Sequence, residues 1–160
     1  MAWTEGGIYA AVLNLNLVGT TPAPWTLTTN KFFLTGASDT PNYAQAAASA
    51  IYSSTNEVSG TGWAAGGVAV SALGAGATSI APALTVTGPG PSVAVYSASN
   101  VAVSGTTLVS AFGGYFYWAA GGTQYKYLGI WFGGSGYSTT AGTFAITWSG
   151  TGIAAITLAA

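Results

Sequence analysis

Asn56-Glu57-Val58-Ser59-Gly60-Thr61-Gly62-Trp63-Ala64-Ala65-Gly66-Gly67 is the stretch on which the reading of this chain turns. An Ala-rich, helix-like segment precedes it, and short β-branched and aromatic runs follow it. It holds the last acidic residue of the chain, Glu57, together with four glycines and a tryptophan. Glycines at this density serve positive-φ backbone and close strand approach. The stretch therefore reads as a corner that turns the chain into a β-rich body. Glu57 is expected to accept backbone N–H groups within its own loop, Gly60 and Gly62 to shape the turn, and Trp63 to anchor it to the core. Gly60-x-Gly62-x-x-Ala65 formally matches a dinucleotide fingerprint. The context defeats that match, because Gly66-Gly67-Val68-Ala69-Val70 opens a strand where the fingerprint needs a helix N-terminus. No acidic residue follows to bind a ribose, and no lysine stands in the loop to bind phosphate.

Working back from the corner, Asn42 can cap a helix running from Tyr43 to Tyr52 through an Ala-rich core of high helix propensity. Trp25-Thr26-Leu27-Thr28-Thr29 and Lys31-Phe32-Phe33-Leu34-Thr35 read as strand, and Pro22 and Pro24 force extended or turn backbone before them. Thr4-Glu5 can cap a short helix over residues 6–13. Leu13-Asn14-Leu15-Asn16-Leu17 alternates strictly and favours an extended segment. The two readings overlap.

Working forward, strands are expected over residues 68–73, 84–87, 93–98 and 101–103, with an unambiguous break at Gly88-Pro89-Gly90-Pro91. Residues 107–118 read as a strand pair or one bulged strand, kinked at Gly113-Gly114. Residues 125–132, 143–148 and 153–158 complete the set, and Phe144, Ile146 and Trp148 share one face. There is neither a fixed-period repeat nor a linker. The expected fold is mainly β: an antiparallel sandwich or barrel-like body, residues 1–160 as one domain, with one or two short helices in the N-terminal third.

Composition narrows the function. Of 160 residues, only Glu5, Lys31, Asp39, Glu57 and Lys126 carry charged side chains, which is 3% against about 25% in typical soluble domains. A surface of Ser, Thr, Asn, Gln, Tyr and backbone at net charge -1 has little repulsion to hold copies apart. The chain is expected to work assembled. Two lysines and no arginine make nucleic acid a poor partner. No window reaches the roughly 20 strongly apolar residues of a membrane helix, and strand spacing is too irregular for an outer-membrane barrel. The N-terminus lacks the basic and apolar regions of a secretory leader. With no histidine and no cysteine, charge-relay hydrolysis, thiol chemistry and His- or Cys-ligated metals all fall. Three scattered carboxylates offer no local motif for glycoside hydrolysis or calcium binding. No catalytic residue, cofactor or metal is expected.

Aromatic residues remain. Tyr115, Phe116, Tyr117, Trp118, Tyr125, Tyr127, Trp131 and Phe132 lie in two neighbouring segments. Alternation places Tyr115, Tyr117, Tyr125 and Tyr127 on one side, and Phe116 and Trp118 on the other. The plain reading is core and cross-strand pairs. The functional readings are a subunit interface or a sugar-stacking platform. With no charged rim to orient a sugar, Tyr115, Tyr117, Tyr125, Tyr127 and Trp131 are the candidate interface.

Three blocks carry a family resemblance. They are Lys31-Phe32-Phe33-Leu34-Thr35 with Thr40-Pro41, Asn56 to Trp63 with Gly66-Gly67, and Gly142-Thr143-Phe144-Ala145-Ile146-Thr147-Trp148 with Gly152-Ile153. Leu128-Gly129-Ile130 before Phe132-Gly133 is similar to a fourth. Together they resemble a family of small virion structural proteins of tailed bacteriophages. Members usually carry more Asp and Lys near residues 93–103, where this chain has Ser and Asn. The resemblance implies no enzyme. It implies a virion component without fixing head or tail; with the low charge, the expected role is a decoration or minor capsid protein on the head surface, contacting the major capsid protein and its own copies, with trimers suited to threefold positions. The alternative it leaves open is a tail-tube, tail-tip or receptor-binding module contacting host glycan.

Overall fold

The computed structural model describes residues 5–17, 25, 28–44, 50–70, 83–87, 93–120, 122–149 and 153–157. In chain order the elements are β1 (Gly7–Ile8), α1 (Ala10–Leu17), β2 (Lys31–Thr35), β3 (Glu57–Val58), β4 (Val68–Ala69), β5 (Ala83–Thr87) and β6 (Val93–Ser97). They continue with β7 (Val101–Ala111), β8 (Gly113–Tyr117), β9 (Lys126–Trp131), β10 (Tyr137–Ile146) and β11 (Ala154–Thr157). Every pairing is antiparallel. The largest sheet runs β1-β9-β8-β2-β3, with β4 on the same edge of β2 as β3; β11-β6-β5 and β10-β7 form a smaller sheet and a two-stranded ribbon.

β2 is the middle of this arrangement. Phe32, Phe33, Leu34 and Thr35 are all buried, because a layer of side chains covers each face of the sheet. Directly paired residues share a face. Phe33 opposite Tyr115 and Lys31 opposite Tyr117 therefore look one way, and Phe32 opposite Phe116 looks the other. The Phe32 side is the apolar core. Tyr96 of β6 meets Phe116 at 5.6 Å, and Trp148 meets Phe32 at 5.7 Å and Phe116 at 5.4 Å. Trp25 closes over Tyr96 and Tyr127. Edge-to-face aromatic contacts of this kind add to what area burial alone provides. The buried side chains form one cluster.

Several elements differ from the sequence reading, each for a local reason. Residues 13–17 are helical, not extended. Ala and Leu favour helix, the Tyr9 carbonyl accepts the Val12 and Leu13 N–H groups, and the Tyr43 carbonyl accepts that of Ala10. Residues 7–8 are strand because β9 offers them an edge, so the short helix expected over residues 6–13 is present only from Ala10 onward; Thr4 lies outside the described residues. The helix expected from Tyr43 to Tyr52 is broken at both described ends. Tyr43 and Ala44 form a turn in which the Ala44 N–H donates to Asn42 Oδ1 at 3.1 Å. Ile51 bridges to Tyr125, and residues 45–49 lie outside the described residues. Trp25, Thr28 and Thr29 are in turns, not strand. β7 is one continuous strand, and the break falls at Phe112, whose N–H donates to the Thr35 carbonyl as the chain crosses from ribbon to main sheet. The break expected at residues 88–91 and the strand expected beyond Val70 fall outside the described residues.

Candidate functional site

The corner is built on one edge of β2. β3 pairs with the end of β2 (Leu34 with Val58, Thr35 with Glu57), and β4 with its start (Lys31 with Ala69, Phe32 with Val68). Residues 59–67 therefore leave that edge and return to it. Between the two strands, Gly60 and Trp63 exchange backbone hydrogen bonds of 2.9 and 3.0 Å around Thr61-Gly62, with Gly62 at φ 77°. The tip reaches the ribbon, where the Thr107 N–H donates to the Thr61 carbonyl at 3.0 Å. Trp63 is fully buried and meets Phe144 of β10 edge-on at 5.5 Å. The corner is thus a staple that ties β2 to β7 and β10.

Glu57 holds the base of the staple. Its Oε1 accepts the Gly66 N–H at 2.6 Å and its Oε2 the Tyr52 hydroxyl at 2.7 Å. The Gly66 carbonyl in turn accepts the Tyr117 hydroxyl at 2.8 Å, and the Tyr52 and Tyr117 rings stack at 4.7 Å. Charge-assisted bonds to a carboxylate are roughly twice as strong as neutral ones.

The same face of the main sheet carries a layer of tyrosines. Tyr9 lies against Tyr43 and Tyr115, and Phe33 lies among Tyr52, Tyr115 and Tyr117. The Tyr115 hydroxyl donates to Asp39 Oδ2. Lys126 sets its Nζ 4.7 Å from the Tyr115 ring centre and 5.3 Å from that of Tyr9, a cation–π arrangement. Burial pushes the Lys126 ammonium below the usual lysine range, and Asp39 opposes that shift. Burial also raises every tyrosine of this layer that shifts, Tyr117 to about 12. Thr35, Asp39, Tyr115, Lys126 and Asn56 line a notch of about 70 Å³, room for ordered water. The buried Thr35 Oγ1 has no hydrogen-bond partner among the described residues.

Of the five residues expected at an interface, Tyr115, Tyr117 and Tyr127 are instead buried inside the chain at 1–2% exposure. Their burial follows from the sheet being covered on both faces. Tyr125 is half-buried, and Trp131 alone keeps a substantial exposed surface, at 36%. The expected alternation also fails at Tyr127. β8 and β9 shift register between Phe116 and Tyr117, with Phe116 opposite Leu128 and Tyr117 opposite Lys126. This bulge swings Tyr127 onto the apolar side, where its hydroxyl meets that of Tyr96 at 2.9 Å. Among the described residues, the large apolar side chains left outward are Val109, Tyr137, Ile51 and Trp131. Tyr137 packs edge-on against Phe132 at 6.0 Å yet stays exposed, and nothing in the sequence singles it out.

No protein-family model, curated protein or solved structure matches this chain. Among the described residues no three His, Cys, Asp or Glu side chains come together as metal ligands, and no helix is long and apolar enough to cross a membrane. Two of the three carboxylates, Asp39 and Glu57, accept tyrosine hydroxyls. What the arrangement does chemically is hold strands together.

Proposed function

We propose that this chain is a structural virion protein of a tailed bacteriophage, a decoration or minor capsid protein on the head that cements the shell by contacts with the major capsid protein and with its own copies. One observation carries the reading: Asp39, Glu57 and Lys126 are engaged with tyrosines of the chain's own body. Among the described residues, Glu5 is the one exposed charged side chain, and the large apolar side chains left outward are Tyr137, Val109, Ile51 and Trp131. In a symmetric shell each contact is repeated many times, and a charge left unpaired in such a contact costs several kcal/mol per copy. A nearly uncharged, rigid β body suits repeated apolar contact. The resemblance of residues 56–63 and 142–148 to phage virion proteins points the same way.

Binding of the purified chain to phage heads, followed by co-sedimentation across a salt series, tests this. Apolar and neutral polar contacts are little screened by salt, so bound chain is expected to change by less than about twofold between low and high ionic strength. Release at modest salt would overturn the reading.

A further inference from the structure

β10 has a long edge whose two halves differ. From Tyr137 to Gly142 its pairing with β7 shifts register repeatedly, and Ala141 has φ 49°. Bulges of this kind protect an edge against further pairing. From Phe144 to Ile146 the register is unbroken, opposite Val103, Ala102 and Val101. Among the described residues this part lacks the usual protections of charge, proline and a covering strand. No charged residue and no proline follows Lys126, and among the described residues β10 pairs with β7 alone. The Trp148 N–H turns towards the β7 side and donates to Asn100 Oδ1 at 2.9 Å. Backbone groups alternate along a strand, so those of Thr147, Ala145 and Thr143 point away from β7. The side chains of these three residues are also exposed. Beneath the strand, Phe132, Tyr137, Phe144 and Ile146 line an open apolar cleft of about 270 Å³.

We infer that residues 143–147 are a self-association site, at which a second copy of this chain adds its own β10 antiparallel about a two-fold axis at Ala145. The sequence of the edge selects that occupant. A two-fold at Ala145 sets Thr143 against Thr147 and Phe144 against Ile146. These are Thr–Thr and aromatic–β-branched pairs, both favourable across antiparallel strands. The isologous pairing is self-complementary and meets no like charges. It joins the two ribbons into one four-stranded sheet and brings the partner's Ile146 over the cleft. This goes beyond the virion reading and does not depend on it, since the edges pair whether or not the chain sits on a capsid.

The chain has no cysteine, so one introduced thiol reports the geometry without interference. In the proposed pairing the two Ala145 Cα atoms are about 5.5 Å apart, as in a hydrogen-bonded antiparallel pair, within the range of about 4.4–6.8 Å that a disulfide spans. Full-length Ala145→Cys under mild oxidation is expected to form covalent dimer at least tenfold faster than Val109→Cys, an exposed thiol on the neighbouring strand. Ala145→Lys places two ammonium groups face to face and is expected to weaken self-association at least tenfold in sedimentation equilibrium. Circular dichroism checks that each variant folds. Equal crosslinking of the two cysteine variants, or unchanged association of folded Ala145→Lys, would overturn the proposal. So would a wild-type chain that stays monomeric at millimolar concentration.

Discussion

Trp63 shows most sharply how single side chains hold this protein together. Its indole fills the junction between the corner and β10, fully buried, yet its Nε1–H has no acceptor among the described residues. Burying an unpaired donor costs about 1–3 kcal/mol, so the stabilisation by Trp63 comes from ring area and contact with Phe144. Trp63→Ala is expected to cost about 3–5 kcal/mol, the range for deleting a large buried aromatic. Trp63→Phe removes the stranded donor along with part of the ring, and is expected to cost less than about 2 kcal/mol. Urea denaturation followed by circular dichroism measures both. Equal losses would mean that the indole N–H has a partner.

The corner as an element depends on how closely it approaches the strands beside it. A side chain at Gly60 would run into the Thr107 carbonyl, and one at Gly67 into the Phe32 carbonyl, with Gly67 also at φ 68°. Gly105 has nearly the same φ, 67°, but open space around it. The left-handed conformation costs an L-residue roughly 1–2 kcal/mol. Gly105→Ala should therefore lose about that much, and Gly67→Ala clearly more, because backbone must also move. Thermal melts of the pair check this, with roughly 2–4 °C expected per kcal/mol in a chain of this size. The glycines of this corner were legible in the sequence because no other residue tolerates such approach. The strands around β2 and β8 were legible because Phe, Tyr and Leu cluster there. The helix over Ala10–Leu17 was legible only in its first half, since the alternating Leu and Asn of residues 13–17 fits a strand and the deciding hydrogen bonds come from Tyr9 and Tyr43. Nor was the burial of Tyr115, Tyr117 and Tyr127. That depends on a second layer over the sheet and on a one-residue bulge, neither of which alternation records.

At the scale of the whole molecule, the buried tyrosines on both faces of the sheet predict how stability varies with pH. Burial holds Tyr96 and Tyr117 at about 12, and raises Tyr9, Tyr52, Tyr115 and Tyr127 as well. Unfolded tyrosine titrates near 10. A raised folded pKa contributes stability that is complete below pH 10 and is lost as pH rises through the folded values. Lys126, shifted down by burial, works with the opposite sign: its penalty on the folded state fades as pH rises towards about 10.4, the ordinary lysine value. Several tyrosines outweigh one lysine above that point. The melting temperature is therefore expected to hold steady near neutral pH and to fall from about pH 10 to 12. Most of the tyrosinate absorbance should appear together with unfolding. Ionisation of most tyrosines near pH 10 in a chain that stays folded would contradict their burial.

The proposed role places this body, nearly free of surface charge, on the outside of a phage head. Electron microscopy of virions labelled with an antibody against the chain tests that placement most directly. An even distribution of label over the head is the predicted result. Label confined to the tail, or particles without the protein, would contradict it.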